Sequence, residues 1–310
     1  MHIWLLAIRP KTLSASISPI LIGNVLAFTS HEFTILTLVF SLLCALSLQI
    51  TVNLVNDYAD AKTGVDNYKR LGPVRASQAG LLSKKQIWAG ISLSTLISIL
   101  TGLCLVSVGG LPILMLGIAS ILCAFMYSLG PKPLACHAMG ELFVFLFFGL
   151  IAVTGSYFLQ TGTISVNAVL MGSALGLLNA AIMLVNNTRD IITDKAANKI
   201  TLAVLIGKEM CCASYRAILF LAFALLVSGF LLGSLPGLPV LLAGICFVYA
   251  RKLTEMFEIA KGAEFNHILH KTSLLTLIFS LLFCSGYLIT TLHHDINQPN
   301  SGSISTKNQQ

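Results

Sequence analysis

Runs of about 20 apolar residues recur along this chain of 310 residues, and each is long enough to cross the hydrocarbon core of a bilayer as an α-helix. Only 10% of the residues are charged, whereas a soluble globular protein carries about 25%. The alternating polar strands that a membrane β-barrel requires are absent from the sequence. The sequence therefore predicts an all-α integral membrane protein.

The apolar runs predict nine transmembrane helices around a central cavity. The expected spans are 13–29, 33–55, 86–108, 111–129, 141–160, 164–186, 213–233, 236–250 and 271–292. No signal-peptide cleavage site with a soluble domain follows the first span, so we expect that helix to be retained. Residues 1–293 are predicted to form a single membrane domain. Residues 294–310, which are rich in Ser, Asn and Gln, are expected to be a disordered tail.

Basic residues occur in alternate connections between the predicted spans. The connections near 30–32, 109–110, 161–163 and 234–235 contain no Lys or Arg, and only Lys307 lies beyond the last span. Because cytoplasmic loops carry the excess of Lys and Arg, the amino terminus is predicted to be cytoplasmic and the carboxyl terminus external. Topology and anionic lipid account for the net charge of +7, so no nucleic-acid partner is predicted.

Two polar clusters stand at the predicted cytoplasmic ends of spans 2 and 6. Within each cluster the side chains recur every three or four residues, which places them on one face of a helix. The first cluster, in NLVNDYADAKTGVD (53–66), consists of Asn53, Asn56, Asp57 and Asp60, followed by Asp66. The second, in NNTRDIITDKAANKITLAVLIG (186–207), consists of Asn186, Asp190 and Asp194.

These aspartates have two interpretations. They can end helices and pair with neighbouring basic residues such as Lys62, Arg189 and Lys195. Alternatively, they bind a cation, because carboxylates at the negative end of a helix dipole are unfavourable and repel one another. We favour the second interpretation, with Mg²⁺ as the cation, since this ion usually shares carboxylates with substrate phosphates. Neighbouring basic side chains are placed to meet phosphate oxygens; they are Arg75, Arg189, Lys195 and Lys199.

At these residues the sequence resembles the UbiA superfamily of intramembrane aromatic prenyltransferases. Two family motifs are matched, as Asn56-Asp57-x-x-Asp60 and as Asp190-x-x-x-Asp194. Segments such as GPVRASQAG (72–80) and the block at 130–158 resemble the branch that prenylates 1,4-dihydroxy-2-naphthoate. The resemblance extends from about Trp4 to Tyr287. One departure is Asn198, where the branch usually has Gly, and Asn also tolerates a left-handed backbone.

The resemblance implies a function and a set of site residues. Polyprenyl diphosphate and an aromatic acid would be the substrates, Mg²⁺ the cofactor, and a bacterial inner membrane the location. The catalytic positions would be Asp57, Asp60, Asp190 and Asp194, and the metal-site positions would be these four with Asn56, Asp66 and Asn186. The expected substrate contacts are Arg9, Lys11, Asn53, Arg75, Lys132, Arg189 and Lys199.

The expected reaction yields demethylmenaquinone, CO₂ and diphosphate. One alternative is a prenyltransferase for another acceptor, such as 4-hydroxybenzoate or homogentisate. Another is a cation-coupled transporter, although transporters place ion sites near the bilayer midplane and these clusters lie at one face. Two smaller features carry structural expectations. Glu141, at the start of span 5, suits the positive end of a helix, and Gly172-x-x-x-Gly176 predicts close helix packing.

Overall fold

The computed structural model describes residues 2–28, 33–63, 71–130 and 133–297. The structure is 84% helical, and the described residues form no β-strand, only an isolated bridge between His137 and Ile200. The prediction of an all-helical protein is confirmed.

Twelve α-helices are present in the described ranges. They are α1 His2–Ile8, α2 Pro10–Leu26, α3 Ile35–Thr63, α4 Lys84–Met126, α5 Gly140–Phe145, α6 Ala152–Thr161, α7 Val166–Arg189, α8 Ile191–Ala196, α9 Leu202–Leu231, α10 Gly237–Gly244, α11 Cys246–Ile259 and α12 Phe265–Asn297. A π-helical turn at Leu146–Ile151 joins α5 to α6.

Seven helical stretches in the described part of the chain are long and apolar enough to cross a membrane. They are Ile35–Lys62, Lys84–Met126, Gly140–Thr161, Val166–Arg189, Leu202–Leu231, Gly237–Ile259 and Gly262–His294. A shorter apolar helix covers Thr12–Leu26. With seven such stretches, the chain is a multi-pass integral membrane protein.

The 43-residue helix α4 is interrupted where the sequence predicts a boundary between two spans. Gly110 has φ +65° and ψ −151°, a backbone conformation outside the helical region, and Pro112 follows it. Glycine adopts a positive φ without the steric penalty of a Cβ, and proline cannot continue the hydrogen-bond ladder behind it. The two halves of α4 correspond to the predicted spans 86–108 and 111–129.

Some helix boundaries differ from the predicted spans. Helix α9 begins at Leu202, whereas the predicted span begins at 213. Thr201 caps this helix, because its hydroxyl accepts a hydrogen bond from the amide of Val204. The first residues of α9, Leu202–Ile206, are apolar, but Gly207, with φ +75° and ψ 169°, interrupts the helix after them, and Lys208 and Glu209 follow before the long apolar run. Helix α12 continues to Asn297, four residues into the segment expected to be a disordered tail. The remaining tail residues lie outside the described part of the chain.

Close backbone packing around α7 shapes the centre of the bundle. A Cβ on Gly176 would lie 2.6 Å from the carbonyl oxygen of Phe145, and a Cβ on Gly172 would lie 3.1 Å from Cα of Leu150. A Cβ on Gly149, in the π-helical turn, would collide with the backbone of Gly176. The predicted close packing at the two α7 glycines is confirmed.

Candidate active site

The first acidic motif lies wholly on α3, which continues to Thr63. Asp57 is 1% exposed, and both of its carboxylate oxygens lie 3.4 Å from the backbone nitrogen of Ser77. Asp60 accepts a hydrogen bond from Nη2 of Arg75 at 2.9 Å. Ser77 and Arg75 belong to the segment that connects α3 to α4, so this connection folds back over the motif.

The asparagines of the first motif hold neighbouring elements. Asn53 donates hydrogen bonds to the carbonyl oxygen of Ile8 at 2.7 Å and to the hydroxyl of Thr12 at 3.1 Å. It therefore fixes the corner between α1 and α2 against α3. Asn56 accepts a hydrogen bond from the hydroxyl of Ser128. At the corner itself, Arg9 has φ +56°, a strained conformation for a residue with a long side chain.

The second motif is divided between two helices. Helix α7 ends at Arg189, Asp190 leaves the helical region with φ −96° and ψ 8°, and α8 begins at Ile191. The expectation that this motif occupies one uninterrupted helix face is therefore wrong. The Arg189 guanidinium donates to the two carboxylate oxygens of Asp190 at 2.8 and 2.6 Å and to Oδ1 of Asn186 at 2.9 Å. This fork fixes Asp190 at the break.

Asp194 is held by the turn that follows α8. Its Oδ1 lies 3.5 Å from Nζ of Lys199, and its Oδ2 is buried and has no hydrogen-bond partner among the described residues. The turn requires a left-handed residue, and Asn198 supplies it with φ +56°, as the sequence predicts. Burial raises the pKa of Asp194 to about 6; the Lys199 ammonium opposes this shift, and the charges of Asp190 and Asp60 add to it.

Lys199 lies between the two motifs. Burial lowers its pKa, but the carboxylates of Asp60, Asp194 and Asp190 outweigh burial and raise its pKa above the ordinary value. Asp60 belongs to the first motif and the other two to the second. Both motifs therefore act on one ammonium group, which means that they lie at the same end of the bundle and face each other.

A cavity of about 620 Å³ opens at this end of the bundle. Most of its wall is apolar and includes Leu103, Val106, Ile113, Phe147 and Ile151. Its polar end is lined by predicted site residues, namely Arg9, Asn53, Asn56, Asp60, Arg75, Asn186 and Lys199. The cavity is suited to a long apolar molecule with an anionic head.

The donor set fits a hard divalent cation. Carboxylate and amide oxygens are the ligands that Mg²⁺ takes, and it usually binds one or two carboxylates together with substrate phosphates. Within the described ranges no three His, Cys, Asp or Glu side chains are grouped as a complete protein site. The unpartnered Oδ2 of Asp194 is a free acceptor for such a cation. The geometry thus fits a site that the protein and a phosphate ligand would complete together.

Three predicted site residues lie beyond what the structure describes. Asp66 and Lys132 are outside the described residues, and Lys11 is described only in its backbone on α2.

The structure adds residues that sequence reasoning missed. Tyr127 and Asn187 line the cavity, and Ser128 bonds Asn56. Their signal in the sequence is position: Tyr127 and Ser128 end the predicted span 111–129, and Asn187 directly follows Asn186.

Comparison with known proteins agrees with this geometry. A 1,4-dihydroxy-2-naphthoate octaprenyltransferase from Haemophilus influenzae is 33% identical over 305 residues, covering 93% of this chain and 96% of that protein. A protein of the same name from Escherichia coli is 34% identical over 298 residues, covering 93% and 95%. A UbiA homologue from Archaeoglobus fulgidus, solved with DMAPP and Mg²⁺, shares the fold with a TM-score of 0.67 at 17% identity, covering 94% of this chain and 99% of that one.

The match to a family profile covers the bundle and both acidic motifs. Residues 16–274 match the profile described as the UbiA prenyltransferase family. That range runs from α2 into α12 and includes every cavity-lining residue except Arg9, Thr12 and Ala15. The paired motifs at the cavity mouth, the helical fold and this match lead to one conclusion: the chain belongs to the UbiA prenyltransferase family.

Proposed function

We propose that this protein transfers a polyprenyl group from polyprenyl diphosphate to 1,4-dihydroxy-2-naphthoate, with Mg²⁺ as cofactor. The allylic C–O bond of the diphosphate breaks and a C–C bond to the naphthoate ring forms. The ring then loses its carboxylate as CO₂, which restores aromaticity. Demethylmenaquinone, in its reduced form, CO₂ and diphosphate are the products, and the reaction belongs to menaquinone biosynthesis.

The observation that carries this proposal is the meeting of two acidic motifs around Lys199 at the mouth of an apolar cavity. A polyprenyl diphosphate has the matching shape, with a charged head and a long hydrocarbon chain. The relatives from Haemophilus influenzae and Escherichia coli are named for this activity, and the match covers nearly the whole length of each. Their named substrate supports naphthoate as the acceptor here.

The metal-site residues in this proposal are those of the two motifs. Asn56, Asp57, Asp60 and Asp66 would hold one cation, and Asn186, Asp190 and Asp194 another. When bound, Mg²⁺ neutralises the negative charge that develops on the departing diphosphate. With the cations bound, the motif carboxylates would fix the diphosphate head of the substrate at the cavity mouth, so that the reacting carbon would point into the apolar wall.

Basic side chains would bind the remaining anionic groups. Lys199 and Arg75 line the polar end of the cavity and are suited to diphosphate oxygens, Arg as a planar fork and Lys as a point charge. Arg9 lies in the same wall and is suited to the acceptor carboxylate, because an unpaired charge beside an apolar surface is costly. Further contacts are assigned to Lys11, Asn53, Lys132 and Arg189.

The apolar wall would exclude water from the reacting carbon. An allylic cation is captured by any nucleophile that reaches it, so a dry cavity favours the aromatic ring over hydrolysis. We assign no general base, because a dihydroxylated ring is nucleophilic without one.

The proposed topology has nine spans. The seven long stretches, the shorter α2 and the break at Gly110 that divides α4 support this count. The basic connections would face the cytoplasm of a bacterial cell, with the amino terminus inside and the carboxyl terminus outside the inner membrane. Residues 1–293 would form the enzyme domain, and 294–310 its tail.

Product analysis tests this proposal. Purified protein is offered a mixture of 1,4-dihydroxy-2-naphthoate, 4-hydroxybenzoate and homogentisate with polyprenyl diphosphates of several lengths and Mg²⁺. Mass spectrometry is expected to find prenylated product from the naphthoate alone. Turnover of another acceptor would reassign the substrate, and no turnover of any acceptor would remove the enzymatic proposal.

A further inference from the structure

An asparagine at the start of α12 is bonded to both halves of the candidate site. Asn266 is the second residue of α12. Its Oδ1 accepts a hydrogen bond from Nη1 of Arg189 at 2.7 Å, and its Nδ2 donates to the backbone carbonyl oxygen of Leu71, also at 2.7 Å. Arginine only donates and a carbonyl only accepts, so one orientation of the amide satisfies both partners. An ionised aspartate at this position would have no donor for the carbonyl.

The bond to Arg189 leads to the second acidic motif. The same buried guanidinium donates to both carboxylate oxygens of Asp190 and to Oδ1 of Asn186. These contacts lie at the break after α7, where Asp190 has left the helical region. Because Asn266 accepts from Nη1, the guanidinium is held from α12 as well as from its own helix. Asn266 therefore helps to fix the direction of the Asp190 carboxylate.

The bond to Leu71 leads to the first acidic motif. Leu71 is the first described residue of the connection between α3 and α4. Four residues later, Arg75 donates to the carboxylate of Asp60 at 2.9 Å. The side chain of Leu71 also lies near the turn before α12, since its Cδ1 is 3.8 Å from the position that a Cβ on Gly262 would occupy. The connection that covers the first motif is thus attached to the start of α12.

The start of α12 is itself well packed. Phe265, directly before Asn266, is 3% exposed, and its ring meets that of Phe257 on α11 edge to face, with centroids 5.1 Å apart. Phe257 stacks in turn on Tyr215 of α9 at 4.4 Å. Leu269, three residues after Asn266 on the same helix face, lines the cavity. Asn266 therefore belongs to a firmly held helix end beside the cavity.

We propose that Asn266 is a positioning residue that couples the two acidic motifs. Its amide links Arg189, which holds Asp190, to the connection from which Arg75 reaches Asp60. A displacement of one motif is thereby transmitted to the other. Under the proposed function, on which this inference rests, one diphosphate head meets both motifs at once. A fixed spacing between the motifs lowers the cost of ordering them when that head binds. This effect requires no contact between Asn266 and a substrate.

The test separates the two hydrogen bonds of Asn266. Asn266→Asp keeps an oxygen for Arg189 but places a second oxygen against the carbonyl of Leu71, whereas Asn266→Ala removes both bonds. Asn167→Asp is the matched control. Asn167 also donates from Nδ2 to a backbone carbonyl, that of Ser234, at 2.7 Å, and it lies at the other end of α7 from the second motif.

Two measurements need no turnover. Isothermal titration with inorganic diphosphate in the presence of Mg²⁺ gives Kd, and hydrogen exchange with mass spectrometry reports on the connection 71–82 and on α8. We expect Asn266→Asp to raise Kd about three- to tenfold, the range for one lost hydrogen bond, and to speed exchange in 71–82 but not in α8. Asn266→Ala should speed exchange in both segments. Asn167→Asp should leave Kd and both exchange rates within about twofold of wild type.

If Asn266→Asp does not fold, Asn266→Ala, which introduces no charge, is expected to raise Kd by at least as much. Unchanged Kd in the folded variant would overturn the inference, because Asn266 would then only stabilise the start of α12. Unchanged exchange in 71–82 would also overturn it, and so would an equal rise of Kd in Asn167→Asp. Failure of the proposed function is a separate result: a wild-type protein that binds Mg²⁺ and diphosphate but prenylates no acceptor would refute the reaction, while the Kd values would still support the coupling.

Discussion

Replacing Asp194 by Asn should stabilise the metal-free protein while it removes activity. Raising the pKa of Asp194 from 3.8 to about 6 means that its ionised form is disfavoured in the folded state. At about 1.4 kcal/mol per pKa unit, the ionised carboxylate costs about 3 kcal/mol at pH 8. An amide carries no such charge. Asp194→Asn is therefore expected to be more stable than wild type by up to about 3 kcal/mol at pH 8.

The pH dependence of this difference follows from its sign. Because the folded-state pKa is the higher one, the folded state binds a proton at a pH where the unfolded state does not. The wild-type protein therefore gains stability as the pH falls through about 6, and the advantage of the variant falls to about half by pH 5. Because the two proteins share all other titratable groups, the contribution of those groups to Tm is removed when the two proteins are compared at the same pH.

The assay is thermal unfolding in detergent with EDTA at pH 8 and pH 5. The expected stabilisation corresponds to a rise of several degrees in Tm at pH 8. The exposed Glu209 provides a control, and Glu209→Gln should leave Tm unchanged at both values. Addition of Mg²⁺ and inorganic diphosphate should raise Tm of wild type but not of Asp194→Asn. The reasoning about burial would be refuted if Asp194→Asn were less stable than wild type at pH 8. It would also be refuted if the stability difference between the two proteins were the same at pH 8 and pH 5.

Three further outcomes are expected. Single substitutions of the other motif aspartates should lower turnover by at least about 100-fold at saturating Mg²⁺ without unfolding the protein; they are Asp57→Asn, Asp60→Asn and Asp190→Asn. Near wild-type rates for two of them would remove the metal assignment. Cysteines introduced at Thr63 and Ser301 should react with an impermeant reagent from opposite sides of the membrane, and labelling from one side would contradict nine spans. Gly149→Ala should lower stability by about 1–3 kcal/mol because the backbone of Gly176 cannot move aside. Gly244→Ala, which meets open space, should be tolerated, and equal Tm values would show that the packing at Gly149 yields.

Much of the helical architecture follows from local patterns in the sequence. Long apolar runs have one stable solution in a bilayer, which is a helix. The break at Gly110 and the left-handed turn at Asn198 were also predictable, because each depends on one residue and its neighbours. Hydropathy missed the start of α9 because its first apolar run, Leu202–Ile206, is too short to predict a span and is separated from the long run by the non-helical Gly207 and by Lys208 and Glu209.

The two acidic motifs were predictable, but their partners were not. Spacing places Asp57 and Asp60 on one face of α3, and it cannot reveal that Arg75 from the next connection pairs with Asp60. The repeat of every four residues likewise gave no sign of the break at Asp190, whose carboxylate is held by the guanidinium of Arg189. The bond between Asn187 and Glu141 joins residues 46 positions apart, and no local pattern in one sequence reports such a pair.

The most direct test of the proposed reaction follows the acceptor's carboxyl carbon. Protein is incubated with carboxyl-labelled 1,4-dihydroxy-2-naphthoate, polyprenyl diphosphate and Mg²⁺, and released CO₂ and prenylated product are counted together. We expect the two to appear one to one, and no label to be released when either the diphosphate or Mg²⁺ is omitted. Label that remains in the prenylated product, or that is released without the diphosphate, would contradict the proposed reaction.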